Sequence, residues 1–347
     1  MKRTEIVEIG QFGLIDRLAQ RCRVANDSTV MGVGDDAAVI AAGGDELMLI
    51  SSDSLFEGVD FDLTYFPLKH LGYKAIVVAA NDILAMNGSP RQATVSLGVS
   101  AKLPVEALED LYDGMRLACD ELEIDLVGGD TRASMTGLVI STTMIGVANG
   151  ASVTYRSGAQ PNDLICITGS LGAAYLGLKL LEREKSVLSG AESLQPQFEG
   201  YEHLLASYLK PTSRYSMIDS LREAELIPTS MIDLSDGLAS DLLQVCKSSQ
   251  CGARIYLERI PIAKQSSQFA AELSVDPVVA ALNGGEDHEL LFTIPLSEQE
   301  KIASLGCVDI IGHITPYSSG ASLVTPDGAE ITLKAQGFPE GLQIVND

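Results

Sequence analysis

Hydrophobic positions along the chain change period several times, and each change marks an element. Residues Gln11–Cys22 carry Phe12, Ile15, Leu18 and Ala19 at helical spacing, which predicts an amphipathic helix. Val39–Ile40 and Leu47–Ser52 read as strands around a Gly43-Gly44-Asp45 turn. Lys69–Met86 reads as a long, largely apolar helix, with Asn87-Gly88 as its stop signal. Gln92–Ser100 alternates with period two, the pattern of a half-buried strand. Pro104–Leu122 returns to helical spacing, with Leu108, Leu111, Met115 and Ala118 along one face. Ile124–Val127 and Leu138–Ala148 are further strands.

The texture then becomes turn-rich at Asn149-Gly150 and across Ser157–Asp163, which predicts two domains, 1–149 and 150–347. The second half reads as a strand (Leu164–Thr168), a helix (Ala173–Glu184), a polar loop from Ser186 to Gly200, and helices near Tyr201–Leu209 and Ser213–Ala224. Met231-Ile232 is a short strand feeding Asp233, and Leu238–Lys247 a helix. Ala253–Leu257, Leu290–Ile294 and Val308–Ile311 are strands, and Asp327-Gly328 marks a closing hairpin. Strands alternating with helices in both halves predict an α/β fold of mixed layers.

Composition narrows the class. With 347 residues, 46% hydrophobic and 20% charged, the chain is globular. Apolar runs such as Ala75–Ala80 are too short to span a bilayer, and the N-terminus lacks an apolar signal core, so no membrane segment and a cytoplasmic location are expected. A net charge of −23 repels a phosphate backbone and argues against nucleic-acid binding. Cys22, Cys119, Cys166, Cys246, Cys251 and Cys307 form no C-x-x-C pair and read as reduced, mostly buried thiols.

The candidate chemistry lies in six acidic segments beside glycine or at the end of an apolar run: Gly34-Asp35-Asp36, Ser51-Ser52-Asp53, Asn81-Asp82, Gly128-Gly129-Asp130-Thr131, Asp233-Leu234-Ser235-Asp236-Gly237 and Gly284-Gly285-Glu286-Asp287. None contains Lys or Arg. So many oxygen ligands without a cation suit a hard divalent ion, most often Mg²⁺ with nucleotide phosphates. Each segment also has a plainer reading as a turn or a helix cap. Asp82 is the hardest to read so, because it sits in an apolar helix with no cation three or four residues away, unless Asn81 and Asp82 form a narrow wet face. Asp233 and Asp236 could share a helix face if that helix starts near 234. Arg156 and Arg214 are candidate phosphate partners. His288, after Glu286-Asp287, reads as structural at the start of a strand.

Taken in order, these segments resemble the thiamine-monophosphate kinase family, together with Gly72-Tyr73-Lys74-Ala75, Ala85-Met86 and Arg156-Ser157-Gly158-Ala159. That family belongs to the ATP-binding superfamily of aminoimidazole ribonucleotide synthetase, selenophosphate synthetase and a hydrogenase maturation protein. The resemblance runs from about residue 10 to Phe338 and implies a two-domain fold whose N-terminal domains pair into a barrel shared by a homodimer. It implies that Asp36, Ser51, Ser52, Asp53, Asp82, Asp130, Asp233 and Asp236 hold several Mg²⁺ ions. It implies ATP contacts from Gly129, Asp130, Arg156 and Ser235, and thiamine monophosphate contacts from Glu286 and from Phe338 in Gln336-Gly337-Phe338. Asp60 stands at a substrate-contacting position where the family often has His. Ala79 and Ala173 also depart from the family's pattern. The alternatives are another ATP-dependent enzyme of the superfamily, or a non-catalytic Mg-nucleotide or Ca²⁺-binding regulator.

Overall fold

The computed structural model describes residues 3–188, 197–335 and 337–338; Gln336 lies outside the described residues. The first half runs α1 (Ile6–Ala19), β1 (Thr29–Met31), β2 (Ala38–Gly43), β3 (Glu46–Phe56), α2 (Leu68–Ala85), β4 (Ser89–Val99), α3 (Val105–Leu122), β5 (Asp125–Ala133) and β6 (Val139–Asn149). The second runs β7 (Leu164–Thr168), α4 (Ala173–Leu188), α5 (Glu202–Leu209), α6 (Tyr215–Glu223), β8 (Ser230–Asp233), α7 (Leu238–Ser249), β9 (Cys251–Tyr256), α8 (Lys264–Glu272), α9 (Pro277–Asn283), β10 (Leu290–Ile294), α10 (Gln299–Ser304), β11 (Val308–Pro316), β12 (Ala321–Val324) and β13 (Glu330–Thr332). Among the described residues no helix is long and apolar enough to cross a membrane.

Two mixed sheets organise these elements. The first has the order β1-β2-β3-β6-β4-β5, antiparallel except where β4 meets β5. The second has the order β13-β12-β9-β11-β7-β10-β8, antiparallel except where β12 meets β9. The mixed α/β class expected from the alternation is therefore the architecture found.

α2 is buried on nearly every side because it has two partners. One side lies with α3 on the first sheet, packing Ile76, Val77, Ala80 and Ile83 against Leu49, Val95 and Met144. Its C-terminal end, Leu84 and Ala85, enters a second cluster with Cys166, Met231 and Phe292 of the other sheet. A helix wanted by two sheets cannot keep an ordinary polar stripe. Its approach to α3 is close enough to require glycine: a Cβ at Gly72 would stand 1.9 Å from the Leu111 carbonyl oxygen, and one at Gly114 the same distance from that of Lys69.

Several boundaries differ from the pattern. α1 starts earlier than its apolar spacing and is interrupted at Gly10, whose φ is +69°. β5 does not stop before the double glycine but runs through it, because β4 pairs alongside to Ala133. A Cβ at Gly129 would lie 1.8 Å from the Val95 carbonyl oxygen, so this glycine is demanded by strand pairing alone. β11 continues past Ile311 by bulging between Ile310 and Gly312. Cys119, Cys166, Cys246 and Cys251 are buried, whereas Cys22 and Cys307 are exposed.

Candidate active site

The site forms where α2, the end of β3, the end of β8 and the segment before β10 meet. Lys74, Val78 and Asp82 lie four residues apart on α2 and present one stripe toward the second sheet's loops. β3 contributes Asp53, β8 ends in Asp233, and the segment before β10 brings Glu286 and His288. Asp53, Asp60, Asp82, Asp233, Ser235, Glu286 and His288 line one cavity of about 130 Å³.

Backbone strain fixes two of these residues. Glu286 and His288 are non-glycine residues at φ +63° and +48°. They are held there by hydrogen bonds from Glu286 N to Ser235 O and from His288 N to Leu234 O, each 2.8 Å. The 284–289 segment is thus zipped to the loop after β8. That loop is not part of α7: the helix starts at Leu238, with Gly237 at φ +105° before it. Asp233 and Asp236 therefore share no helix face, and neither Asp233 nor Ser235 caps the helix. Asp241, one turn inside, accepts the amides of Asp236 and Gly237 at 3.2 and 3.1 Å.

The acids of this region were read as lacking cations, and for three of them the fold supplies one. Asp36, its side chain 1% exposed, takes both Nε (3.2 Å) and Nη2 of Arg156 on Oδ1. The Arg156 amide also donates to Asp35. Glu286 pairs with Lys74. Glu289 pairs with Arg214 at 2.6 Å and accepts from Thr168 Oγ1. Arg156 and Arg214, candidate phosphate partners in the sequence, are accordingly largely buried and engaged in ion pairs. Asp287 accepts the amides of Gly172 and Ala174 at the start of α4. The three neighbouring acids of this segment, at 286, 287 and 289, thus have three separate partners.

Asn81 does not make a wet face beside Asp82. It is fully buried, accepts the Arg214 amide at 3.0 Å and donates to the His288 carbonyl, bridging α2 to the second half. Asp82 is left among acids. Burial lifts its carboxyl well above the ordinary value, and Asp233, Asp36 and Asp53 lift it further. Asp53 is raised in the same way, by burial first and then by Glu286 and Asp233, against His288 and the Ser54 amide. Asp36 is pushed up to about 7 by burial, despite Arg156. Burial also works to raise Glu286, but Lys74 and His288 hold it below the usual range.

Other predicted positions stand apart. Period two sends Ser51 toward α2, where its hydroxyl donates to the Ala79 carbonyl, and Ser52 to the opposite face. Asp130 is on that outward face too, at the end of a lateral row Ser54–Ser141–Ser96–Asp130. It is exposed and paired with Arg132. Phe338 stacks on Phe12 with ring centroids 4.8 Å apart, outside the cavity lining. Asp60 does line the cavity and accepts the Phe56 amide at 2.7 Å. Pattern reading gave no role to Lys74 or Asp241. The signals for Lys74 were its eight-residue spacing from Asp82 and its place in Gly72-Tyr73-Lys74-Ala75.

Among the described residues no group of three His, Cys, Asp or Glu is gathered at metal-ligand distance. The donors nevertheless suit a hard cation. They are almost all carboxylate oxygens, mutually repelling, and Asp36 Oδ2 is buried with no hydrogen-bond partner among the described residues.

Residues 34–148 match AIR synthase related protein, N-terminal domain, and residues 160–323 match AIR synthase related protein, C-terminal domain. Thiamine-monophosphate kinase of Buchnera aphidicola subsp. Schizaphis graminum is 32% identical over 341 residues, covering 96% of this chain and 99% of that protein. Its counterpart in Escherichia coli strain K12 is 32% identical, covering 95% and 97%. The solved structure of AaThiL complexed with AMPPCP and TMP superposes with a TM-score of 0.80 at 28% identity, over 98% of this chain and 100% of that one. At that identity over nearly the full length of both proteins, the chain belongs to the thiamine-monophosphate kinase family.

Proposed function

We propose that this chain transfers the γ-phosphoryl group of ATP directly, in line, to the phosphate of thiamine monophosphate, giving thiamine diphosphate and ADP as the last step of thiamine diphosphate synthesis. The observation that carries this reading is the convergence of Asp53, Asp82, Asp233 and Glu286, drawn from both halves, on one cavity. Family membership supports a kinase using ATP.

A phosphate oxygen of thiamine monophosphate forms the new bond to the γ-phosphorus while the bond to the bridging oxygen of ADP breaks. That nucleophile is already anionic and needs no strong general base, in keeping with a cavity built from carboxylates. Two polyanions cannot approach those carboxylates unaided. In this reading Asp36, Asp53, Asp82, Asp233 and Asp236 hold several Mg²⁺ ions, which when bound neutralise phosphate charge and orient the reacting groups. Ser235, on the cavity wall, is placed to meet ATP, and Glu286 and Asp60 to meet thiamine monophosphate. Among the described residues, Ser52 and Asp130 are exposed on the outward face of the first sheet. A homodimer closing a shared barrel over it would bring three further Mg²⁺ and ATP positions, Ser52, Gly129 and Asp130, beside a second copy, while Ser51 and Arg156 stay on the α2 side with Ala79 and Asp36. A cytoplasmic setting, where ATP and Mg²⁺ are available, completes the reading.

Purified chain incubated with ATP, Mg²⁺ and thiamine monophosphate should form thiamine diphosphate, followed by chromatography. A folded protein that makes none refutes the proposal. Tight nucleotide or Ca²⁺ binding without turnover would favour a regulator instead.

A further inference from the structure

Lys74 stands behind Glu286, beside the cavity and outside its lining, with 1% of its side chain exposed. Its ammonium donates to the Glu286 carboxylate and, at 3.3 Å, to the Tyr208 carbonyl. The ring of Tyr208 lies 4.5 Å away and that of Phe66 5.7 Å away. Hydrogen-bond acceptors and aromatic faces therefore hold Nζ in one place. A buried lysine this far from water is costly unless an anion faces it, and among the described residues its ion-pair partner is Glu286.

Glu286 is fixed at its other end as well. Its backbone sits at φ +63° and its amide is bound to Ser235. With Lys74 on Oε2, the side chain is clamped at both ends, yet 34% of it stays open to the cavity. Among the described residues, Oε1 receives no hydrogen bond.

We infer that Lys74 is a positioning residue for substrate, reached through Glu286. The ammonium aims Oε1 of Glu286 into the cavity and keeps the carboxylate from folding back. The inference rests on the proposed role of Glu286 as a contact to thiamine monophosphate. It adds a chemical consequence. A carboxylate already neutralised by a lysine acts as an acceptor more than as a counter-charge, so the pair fits an N–H donor on the substrate's base rather than the substrate's fixed positive charge. Lys74 spans the two halves, from α2 to the segment before β10 and to α5, so this aim depends on how the halves are set together.

A double-mutant cycle tests it, with Lys74→Met, Glu286→Gln, the double variant and the wild type. Lys74→Met should raise the KM for thiamine monophosphate roughly tenfold, the loss of one charge-assisted contact, while changing the KM for ATP less than about twofold. Glu286→Gln should act in the same direction. The double variant should be no worse than the poorer single, because Lys74 acts through Glu286. It also removes both buried charges, so it folds even if Lys74→Met alone does not, and comparing it with Glu286→Gln still decides the matter. Lys74→Arg should recover part of the loss. Multiplying effects in the double variant, or equal rises in both KM values, would overturn the inference while leaving the function intact. A wild type that makes no thiamine diphosphate would instead remove the functional reading beneath it.

Discussion

Asp82→Asn separates the two demands placed on the acidic cavity. In the metal-free protein Asp82 faces Asp233, Asp36 and Asp53 with no cation of its own among the described residues, and burial raises its carboxyl well above 3.8. A carboxyl raised in the folded state makes the native chain hold a proton that the unfolded chain has lost. Stability therefore falls as pH climbs from about 4, until native Asp82 has ionised. Each pKa unit of that rise corresponds to about 1.4 kcal/mol. Asparagine keeps the shape and removes the charge, so even one unit of relief should stabilise the metal-free protein by about 1.4 kcal/mol at pH 8. For a chain of this size that is a Tm gain of about 2 °C. Near pH 4 most of the gain should be gone, because Asp82 is then neutral in the folded state and only about half ionised in the unfolded one. The same substitution should cut phosphoryl transfer at least about 100-fold and weaken the Tm rise produced by Mg²⁺. Differential scanning calorimetry at pH 4 and pH 8, with chelator and with Mg²⁺, reads all of these. A variant that is less stable at pH 8 without metal, or whose effect is the same at both pH values, would refute the electrostatic account.

Two further substitutions probe the frame around the cavity. Arg156→Met leaves Asp36 buried without its cation and should cost about 3–5 kcal/mol in urea unfolding at pH 8, with less cost toward pH 5 as the carboxyl protonates; an unchanged midpoint would mean the pair does not hold the Asp35-Asp36 turn. Gly72→Ala forces a methyl to 1.9 Å from the Leu111 carbonyl and should destabilise by about 1–3 kcal/mol through separation of α2 and α3, whereas Gly128→Ala, with nothing within 4 Å of the added carbon, should lose far less.

Periodicity was enough to place most elements, because the strands and helices of both halves each bury a face and the burial shows as spacing. α2, β4, α3 and the hairpin around Asp327-Gly328 all appear close to where the pattern put them. The misplacements have local causes. β5 runs through Gly128-Gly129 because a neighbouring strand can use the bare backbone that otherwise signals a turn. Asp233 and Asp236 do not share a helix face because Gly237 takes a backbone angle that ends the loop only there.

The acids were legible in the sequence as a set, because uncompensated carboxylates beside glycine are visible in one dimension. Which of them meet was not. Arg156 reaches Asp36 across 120 positions, and Lys74 reaches Glu286 across 212. No local window contains both members of either pair, so the sequence shows a lack of cations that folding partly removes. The tertiary structure also decided which side of the first sheet each acid faces, placing Asp53 with Asp82 and Asp233 but sending Asp130 to the other side. The sequence alone determined that this chain is a mixed α/β protein rich in oxygen ligands. Only the docking of α2 between two sheets, driven by burial of its apolar surface on both sides, decided that Asp82 and Glu286 line one cavity with Lys74 paired behind Glu286.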